Sequence, residues 1–323
     1  MQILKKRLAT TALGIGLAFS GLAAADQQIL IGATSTSSSQ YGYYVAVSQI
    51  INKLPDLRSS VVETGATVDN LRRILRDQID FGLVTTNVGY HAYKGEGEFT
   101  KRKVDNRLLW VYSMAPQNVV VRKDAGVSSL AELDGKRFNP GITGSATEAT
   151  TVAVMEALGI EPNYSRGSTT DVVAAVKDNR AIGYVKSGVG NKLDGSSMDI
   201  ATFTPIGVLS LTDEQASTIR EKMPDISVTQ VPAGAAEGVP AYQTWAFGLA
   251  VHARPGLDEE TAYQIVKAVM ENPEPQINAL SNLKDVDIAE LTMEAGTVPL
   301  HPGAARYFEE KGIQIPDRLK PQS

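Results

Sequence analysis

The chain is 323 residues long, 43% hydrophobic and 21% charged, an ordinary globular composition with length enough for two domains. Thirty-one basic against 36 acidic side chains give a net charge of −5, which argues against a general nucleic-acid binder, since that needs basic surface to neutralise phosphates. The absence of cysteine excludes disulfides, thiolate zinc sites, iron–sulfur clusters, a cysteine nucleophile and a lipidated N-terminal cysteine; with only His91, His252 and His301, a polyhistidine metal site is nearly excluded too.

Residues 1–25 read as a cleavable secretory signal. Lys5, Lys6 and Arg7 form its basic start, Leu8 to Leu22 its apolar stretch, and Ala23-Ala24-Ala25 an A-x-A cleavage site before Asp26. The competing reading is a membrane anchor, but the apolar run is about 15 residues where roughly 20 are needed to span a bilayer. Removing those 25 residues leaves 298, and the loss of three cations takes the charge from −5 to −8. The expectation is an acidic, soluble, exported protein, and the lack of cysteine suits an oxidising compartment.

The mature region opens with a strand, Gln28 to Ala33, followed by Thr34-Ser35-Thr36-Ser37-Ser38-Ser39-Gln40. Val47, Ile50, Ile51 and Leu54 then recur at helical spacing up to Pro55. Ser60 to Glu63 reads as a second strand, Thr64-Gly65-Ala66-Thr67 as a loop, and Val68, Leu71, Ile74 and Leu75 as one face of a second helix. Asp80 to Val84 is a third strand, ending at Thr85-Thr86-Asn87. This β-α-β-α-β order predicts a parallel sheet, and in such sheets ligands bind beyond the carboxyl ends of the strands. Hydroxyls and amides stand at all three ends; helix capping accounts for one per loop, and seven polar residues in a row favour a binding surface.

Leu108–Met114 and Val119–Val121 read as two strands around Ala115-Pro116-Gln117-Asn118, and Ser128–Lys136 as a short capped helix with a glycine stop. A strand begins at Arg137, and Gly141-Ile142-Thr143-Gly144-Ser145-Ala146-Thr147 leads into a helix. Such a loop aims backbone N–H groups and a positive dipole end at an anion, or simply turns the chain; the spacing of a P-loop is absent. Val172, Val173 and Val176 mark a helix, and Ala181–Val185 a strand ending at Lys186-Ser187-Gly188, where Lys186 is either a partner for an acidic ligand or a solvated charge. A helix is expected over 213–223, a loop from Val228 to Pro240, a strand from Thr244 to Val251, and helices around Glu259–Glu271 and Ala304–Lys311.

Taken together, Ile31 to Ser38, Thr64 to Leu71, Asp80 to Val84, Ser129 to Arg137, Gly144 to Thr147 and Val298 to Phe308 resemble, in order and spacing, the TAXI class of solute-binding proteins. These are receptors of TRAP (tripartite ATP-independent periplasmic) transporters. The resemblance implies an α/β, two-lobed periplasmic-binding-protein fold of type II-like form, with a central ligand cleft and two interlobe crossings. It implies lobe one over 26–115 plus 246–323 and lobe two over 116–245. It also implies a small acidic organic solute, a carboxylate or amino acid, delivered in the periplasm to TRAP membrane permease subunits, with no cofactor, no catalysis and no nucleic acid.

Carried over on the matching motifs, the ligand-binding candidates of lobe one are Thr34, Ser37, Ser38, Tyr41, Thr64, Asn70 and Asn87. Those of lobe two are Gln117, Ser145, Ala146 and Thr147, with the Ala146 and Thr147 N–H groups facing the ligand; Lys186 and Trp245 complete the set. Of Tyr41, Tyr43 and Tyr44 at least one belongs to the core, because adjacent helical positions face different ways. His301 is read as structural. The chain departs from the family pattern in having serines in a usually glycine-rich first loop, Glu148 where arginine is common, and a cation at Lys186, so glutamate is not carried over as the ligand. An exported enzyme is disfavoured by the lack of a G-x-S-x-G elbow or H-E-x-x-H pair. A receptor for an ATP-driven importer and a ligand-sensing partner of a membrane kinase are the other readings.

Overall fold

The computed structural model describes residues 27–188 and 190–322, so the expected leader, residues 1–25, lies outside the described residues. The first lobe opens with β1 (Gln27–Gly32), α1 (Ser39–Ile51), β2 (Leu57–Val62), α2 (Thr67–Ile74), β3 (Phe81–Thr85) and α3 (Thr86–Lys94). β1 lies parallel to both β2 and β3, with Ile31 beside Val61 on one side and Phe81 on the other. Along β1, Ile29 and Ile31 are fully buried while Leu30 is 41% exposed, the period-two pattern of a strand covered on one face. α3 is a helix that its composition conceals: Gly89 lowers its propensity, yet a Cβ there would stand 2.7 Å from the His252 ring, so packing sets the choice of residue.

Two long strands follow, β4 (Arg107–Arg122) and β10 (Tyr242–Ala253). Between them come β5 (Arg137–Phe138), α4 (Ala146–Leu158), β6 (Asn163–Tyr164), α5 (Thr169–Lys177) and β7 (Gly183–Ser187). Then come α6 (Gly195–Ala201), β8 (Ile206–Leu209), α7 (Asp213–Lys222) and β9 (Ser227–Val231). After β10 the chain adds α8 (Glu259–Glu271), α9 (Pro273–Ala279), α10 (Ile288–Ala295) and α11 (Pro302–Glu310).

The main sheet runs β2-β1-β3-β10-β4-β7, with β8 also on β4 and β9 also on β10. β4 pairs antiparallel with β10 from Arg107 to Pro116, then with β7 and β8 from Gln117 to Arg122. β10 pairs with β9 from Tyr242 to Ala246, and beyond that with β4 and β3. The same two strands therefore belong to both lobes.

Three local expectations change. The two strands expected around Ala115–Asn118 are one continuous β4. Pro116 has no N–H to give a ladder, but it sits where β4 changes neighbours, and its carbonyl accepts from Gly188 N at 2.7 Å. The stretch read as loop from Val228 contains β9, which pairs with the open edge of β10. The helix expected over Ser128–Lys136 is reduced to a single 3₁₀ turn, Ala131–Leu133, closed by Gly135 at φ +67.

Apolar burial falls into two clusters. The larger joins β1, β3, β4 and β10 to α1, α8 and α11 through Ile29, Val47, Trp110, Phe247, Ile265 and Phe308, and extends into the second lobe through Phe138, Val154, Val185 and Ile219. The smaller, in the second lobe, holds Val120, Val176, Tyr184, Ile200 and Ile206. A fully buried side chain of this kind contributes about 1.5–3 kcal/mol.

His252 lies fully buried within β10, with Nδ1 donating to Asn106 Oδ1 and Nε2 without a partner. Burial pushes its pKa down to about 3. The unfolded chain binds this proton below the ordinary histidine value of about 6.5 and the folded chain does not, so stability falls as pH drops from there towards the folded value. His252→Gln is expected to lose less melting temperature than the wild type between pH 7 and pH 4; equal losses would show that His252 does not drive this part of the acid response.

Candidate functional site

Three helix N-termini converge where the lobes meet. Ser38 caps α1, its Oγ accepting from Gln40 N at 3.3 Å, and Ser145 caps α4 by accepting from Glu148 N at 3.0 Å. α2 begins at Thr67, just after the sharply turned Ala66 (φ +69). Between them lies a small cavity of about 30 Å³. Thr34, Ser38 and Gln40 line it from the α1 side, Ala66 and Thr67 from α2, and Thr85 from β3. Ser145, Ala146 and Thr147 line it from α4, and Lys186 and Ser187 from β7, while Leu83, Ile142, Val185 and Leu249 form apolar walls.

This surface is rich in donors. The N–H groups of Ala146 and Thr147 open α4 and have no intrahelical acceptor. Gln40 is only 3% exposed; its Oε1 is held by the Tyr112 hydroxyl at 3.0 Å, and its Nε2 has no partner. Tyr112 is itself locked by stacking on Tyr43 at 4.0 Å, and burial raises the pKa values of both phenols, so both stay protonated. Lys186, a residue 7% exposed, donates from Nζ to Ser38 Oγ at 3.2 Å. Asp194, at 0% exposure, lies 3.8 Å from that ammonium and accepts from both Ser38 Oγ and Ser39 N.

Of the residues expected from the sequence, Thr34, Ser38, Ser145, Ala146, Thr147 and Lys186 lie on the cavity wall. Gln117 stands one layer behind, where its Oε1 accepts from Thr147 Oγ1 at 2.9 Å and Ser187 Oγ at 3.1 Å. Asn70 is fully buried and donates to the carbonyls of Gly32, Ala33 and Leu83, tying the ends of β1 and β3 together. Thr64 donates to Ala33 O at 2.9 Å, and Asn87 reaches across the cleft to Thr150 Oγ1, also at 2.9 Å. Ser37 is exposed and paired with Ser35, Tyr41 packs against the outer core, and Trp245 is fully buried in it. Tyr43 and Tyr44 are both core residues, and His301 caps α11 and bonds Leu257 O. Gln40 closes the polar run Thr34–Gln40 but was not among the expected ligand contacts, and Asp194 was not singled out in the sequence at all.

The lobes touch directly around the cavity. Gly144 O of the second lobe accepts from Val68 N at 2.8 Å and Asp69 N at 3.2 Å, filling the N-terminus of α2. Gly65 makes this approach possible, because a Cβ there would stand 2.7 Å from Thr143 O. Further out, His91 bonds Glu96 through Nδ1 and Asp225 of the opposite lobe through Nε2, each at 2.9 Å. Only the imidazolium donates at both nitrogens, and the Asp225 bond is the main reason its pKa is raised. Burial pushes the Asp225 carboxyl up, but the His91 hydrogen bond, the His91 charge and a backbone hydrogen bond together outweigh this and hold it below the usual range.

A wider crevice of about 560 Å³ opens beside His91. Its ionisable groups are already matched within the chain, His91 with Glu96 and Asp225, Arg166 with Glu148, and Glu98 with Arg72. The small cavity, with its unpartnered donors, is therefore the better candidate for a ligand. Among the described residues there is no cluster of three or more His, Cys, Asp or Glu placed to hold a metal, and no helix long and apolar enough to cross a membrane.

Two lobes joined by a shared strand pair, with helix N-termini facing a central cleft, define a periplasmic-binding-protein fold. Solved structures share it. A zinc-bound ligand-binding component of an ABC-type import system from Staphylococcus aureus matches at 11% identity and a TM-score of 0.50, over 92% of this chain and 97% of that one. A putative L-cystine ABC transporter protein from Listeria monocytogenes matches at 12% identity and a TM-score of 0.50, over 79% of this chain and 96% of that one. The chain belongs to the NMT1-like family, whose model matches residues 31–312.

Gly65→Ala is expected to hold the lobes apart without disturbing either one, giving a larger radius of gyration by small-angle scattering and about tenfold weaker ligand binding, 1.4 kcal/mol. An unchanged radius and affinity would show that the Gly65–Thr143 approach does not limit closure. For His91 the raised folded pKa means that its contribution is full below the ordinary histidine value and is lost as pH rises through the raised one. Asp225→Asn is therefore expected to lower the melting temperature most near pH 6 and least near pH 9; a gap independent of pH would remove the ionic role.

Proposed function

We propose that this protein is the solute receptor of a membrane transport system, closing its two lobes on a small acidic organic solute and presenting it to a permease. The observation that carries the reading is the unpartnered donor set on the cavity wall, Gln40 Nε2 and the α4 N–H groups, beside the Lys186 ammonium. A hydrogen bond to a charged group contributes about 1.5–3 kcal/mol, so a handful of them reaches the roughly 8 kcal/mol of micromolar affinity. Because donors come from both lobes, the closed form binds better than the open one, and only that difference drives closure.

In this reading lobe one comprises 26–115 plus 246–323 and lobe two 116–245, supported by the exchange of strand partners at Pro116 and Ala246. Thr34, Ser38, Ser145, Ala146, Thr147 and Lys186 contact the solute, joined by Gln40, while Gln117 positions Thr147. The protein acts outside the cytoplasmic membrane after removal of its leader. In this reading the chain binds its solute and releases it unchanged.

The finer assignment is a TAXI receptor serving TRAP permease subunits, supported by the ordered motifs from Ile31 to Phe308. A receptor for an ATP-driven importer is the second reading, since structures sharing the fold belong to ABC-type systems. Solute uptake abolished by an ionophore but insensitive to ATP depletion would favour the first, and the reverse the second.

The test begins with protein starting at Asp26, unfolded and refolded to strip bound solute, and its melting temperature measured against amino acids, carboxylates and neutral sugars. At 100 times its dissociation constant a solute stabilises by about 2.7 kcal/mol. A saturable shift with one class of acid is the expected result. Shifts with neutral solutes alone would remove the acidic-solute reading, and none at all from protein shown to be folded would remove the receptor reading.

A further inference from the structure

The N-terminus of α1 already holds a carboxylate, and it comes from the opposite lobe. Asp194 Oδ2 accepts from Ser39 N, the first N–H of α1, at 3.0 Å and from Ser38 Oγ at 3.1 Å. Its Oδ1 accepts from Ser196 N at 3.0 Å and Ser196 Oγ at 2.7 Å, and lies 3.8 Å from Lys186 Nζ. Gly195 N donates to Ser39 Oγ at 2.9 Å, fastening the same corner. A carboxylate on these groups makes the contacts that an anionic ligand makes at a helix N-terminus. Asp194 is fully buried, so nothing in solution competes for the place in the closed form.

The neighbouring α2 terminus is filled by Gly144 O. What stays open is one end of the cleft, where the Ala146 and Thr147 N–H groups and the unpartnered Gln40 Nε2 border the cavity. Its volume of about 30 Å³ has room for a few heavy atoms, as a water takes roughly 10–15 Å³ on the same measure. Lys186 supplies one positive charge, already shared with Asp194.

Building on the acidic-solute reading above, we infer that Asp194 is an internal anion that fills one pole of the cleft and so makes the receptor selective for small monocarboxylates. A dicarboxylate has to place its second anion against Asp194 or displace it, and both oppose closure. A monocarboxylate places its one anion on the open donors of α4 and Gln40, with its tail against Leu83, Val185 and Leu249.

The experiment compares acetate, propionate and pyruvate with succinate and glutarate on refolded wild type, Asp194→Ala and Asp194→Asn, by calorimetry and thermal shift. For the wild type the best monocarboxylate is expected to bind at least thirtyfold more tightly than either dicarboxylate. In Asp194→Ala, which empties the α1 terminus and frees Lys186, succinate or glutarate is expected to gain tenfold or more while the monocarboxylates change less. Asp194→Asn keeps an α6 cap and removes only the charge; a three- to tenfold dicarboxylate gain is expected there, and this variant decides the matter if Asp194→Ala fails to fold. Equal wild-type affinity for both classes, or unchanged preference in the variants, would overturn the inference while leaving an acidic-solute receptor intact. Binding of neutral solutes alone would instead overturn the acidic-solute reading and this inference with it.

Discussion

The antiparallel pairing of β4 with β10, from Arg107–Pro116 against Ala246–Ala253, is the constraint on which the remaining structure depends. It joins the parallel strands of the first lobe to β7, β8 and β9 of the second without a linker. Because both strands continue past the point where they part, each lobe inherits its position from the other. The strand ends of the first lobe then face the α4 terminus and the end of β7, and the cleft lies at the boundary the shared strands create.

Within that frame, polar groups line the cleft. A buried charge is costly unless paired, and removing one member of a buried pair typically costs about 3–5 kcal/mol. Lys186 and Asp194 satisfy that requirement with each other and with Ser38, across the lobes. The neutral amide of Gln40 is oriented from behind by Tyr112, which Tyr43 holds in a stack, with Tyr43 in turn bonded to Trp110 and Gln276. The donor is thus set by a rigid aromatic core rather than by a flexible loop, which limits the ordering cost on binding.

Much of this was legible along the chain. The helix expected around Glu259–Glu271 is α8 at its observed bounds, and the helical spacing and strand order marked the alternating parallel unit from β1 to β3. Elements whose local signals conflict with their packing were hidden. Gly89 masked α3, Pro273 and Pro275 masked α9, and Ala115-Pro116 looked like a break in what is one strand. For the cleft, the hydroxyl-rich loops pointed to strand ends and helix starts that do line the small cavity, because these are local features. The parts played by Gln40 and Asp194 were not legible, because each depends on a partner far away in sequence: Tyr112 for one, Ser38 and Ser39 for the other.

The unbroken course of β4 and β10 has a mechanical consequence. A linker hinge turns through a few free torsions, and its two halves swing almost without resistance. Here β4 is laddered almost throughout, to β10 and then to β7 and β8, and Pro116 adds a fixed φ at the crossover. Relative rotation of the lobes has to be taken up as extra twist spread along the paired strands. The shared strands are therefore less like a door on a pin than like a leaf spring, with a restoring torque against any opening or closing of the cleft.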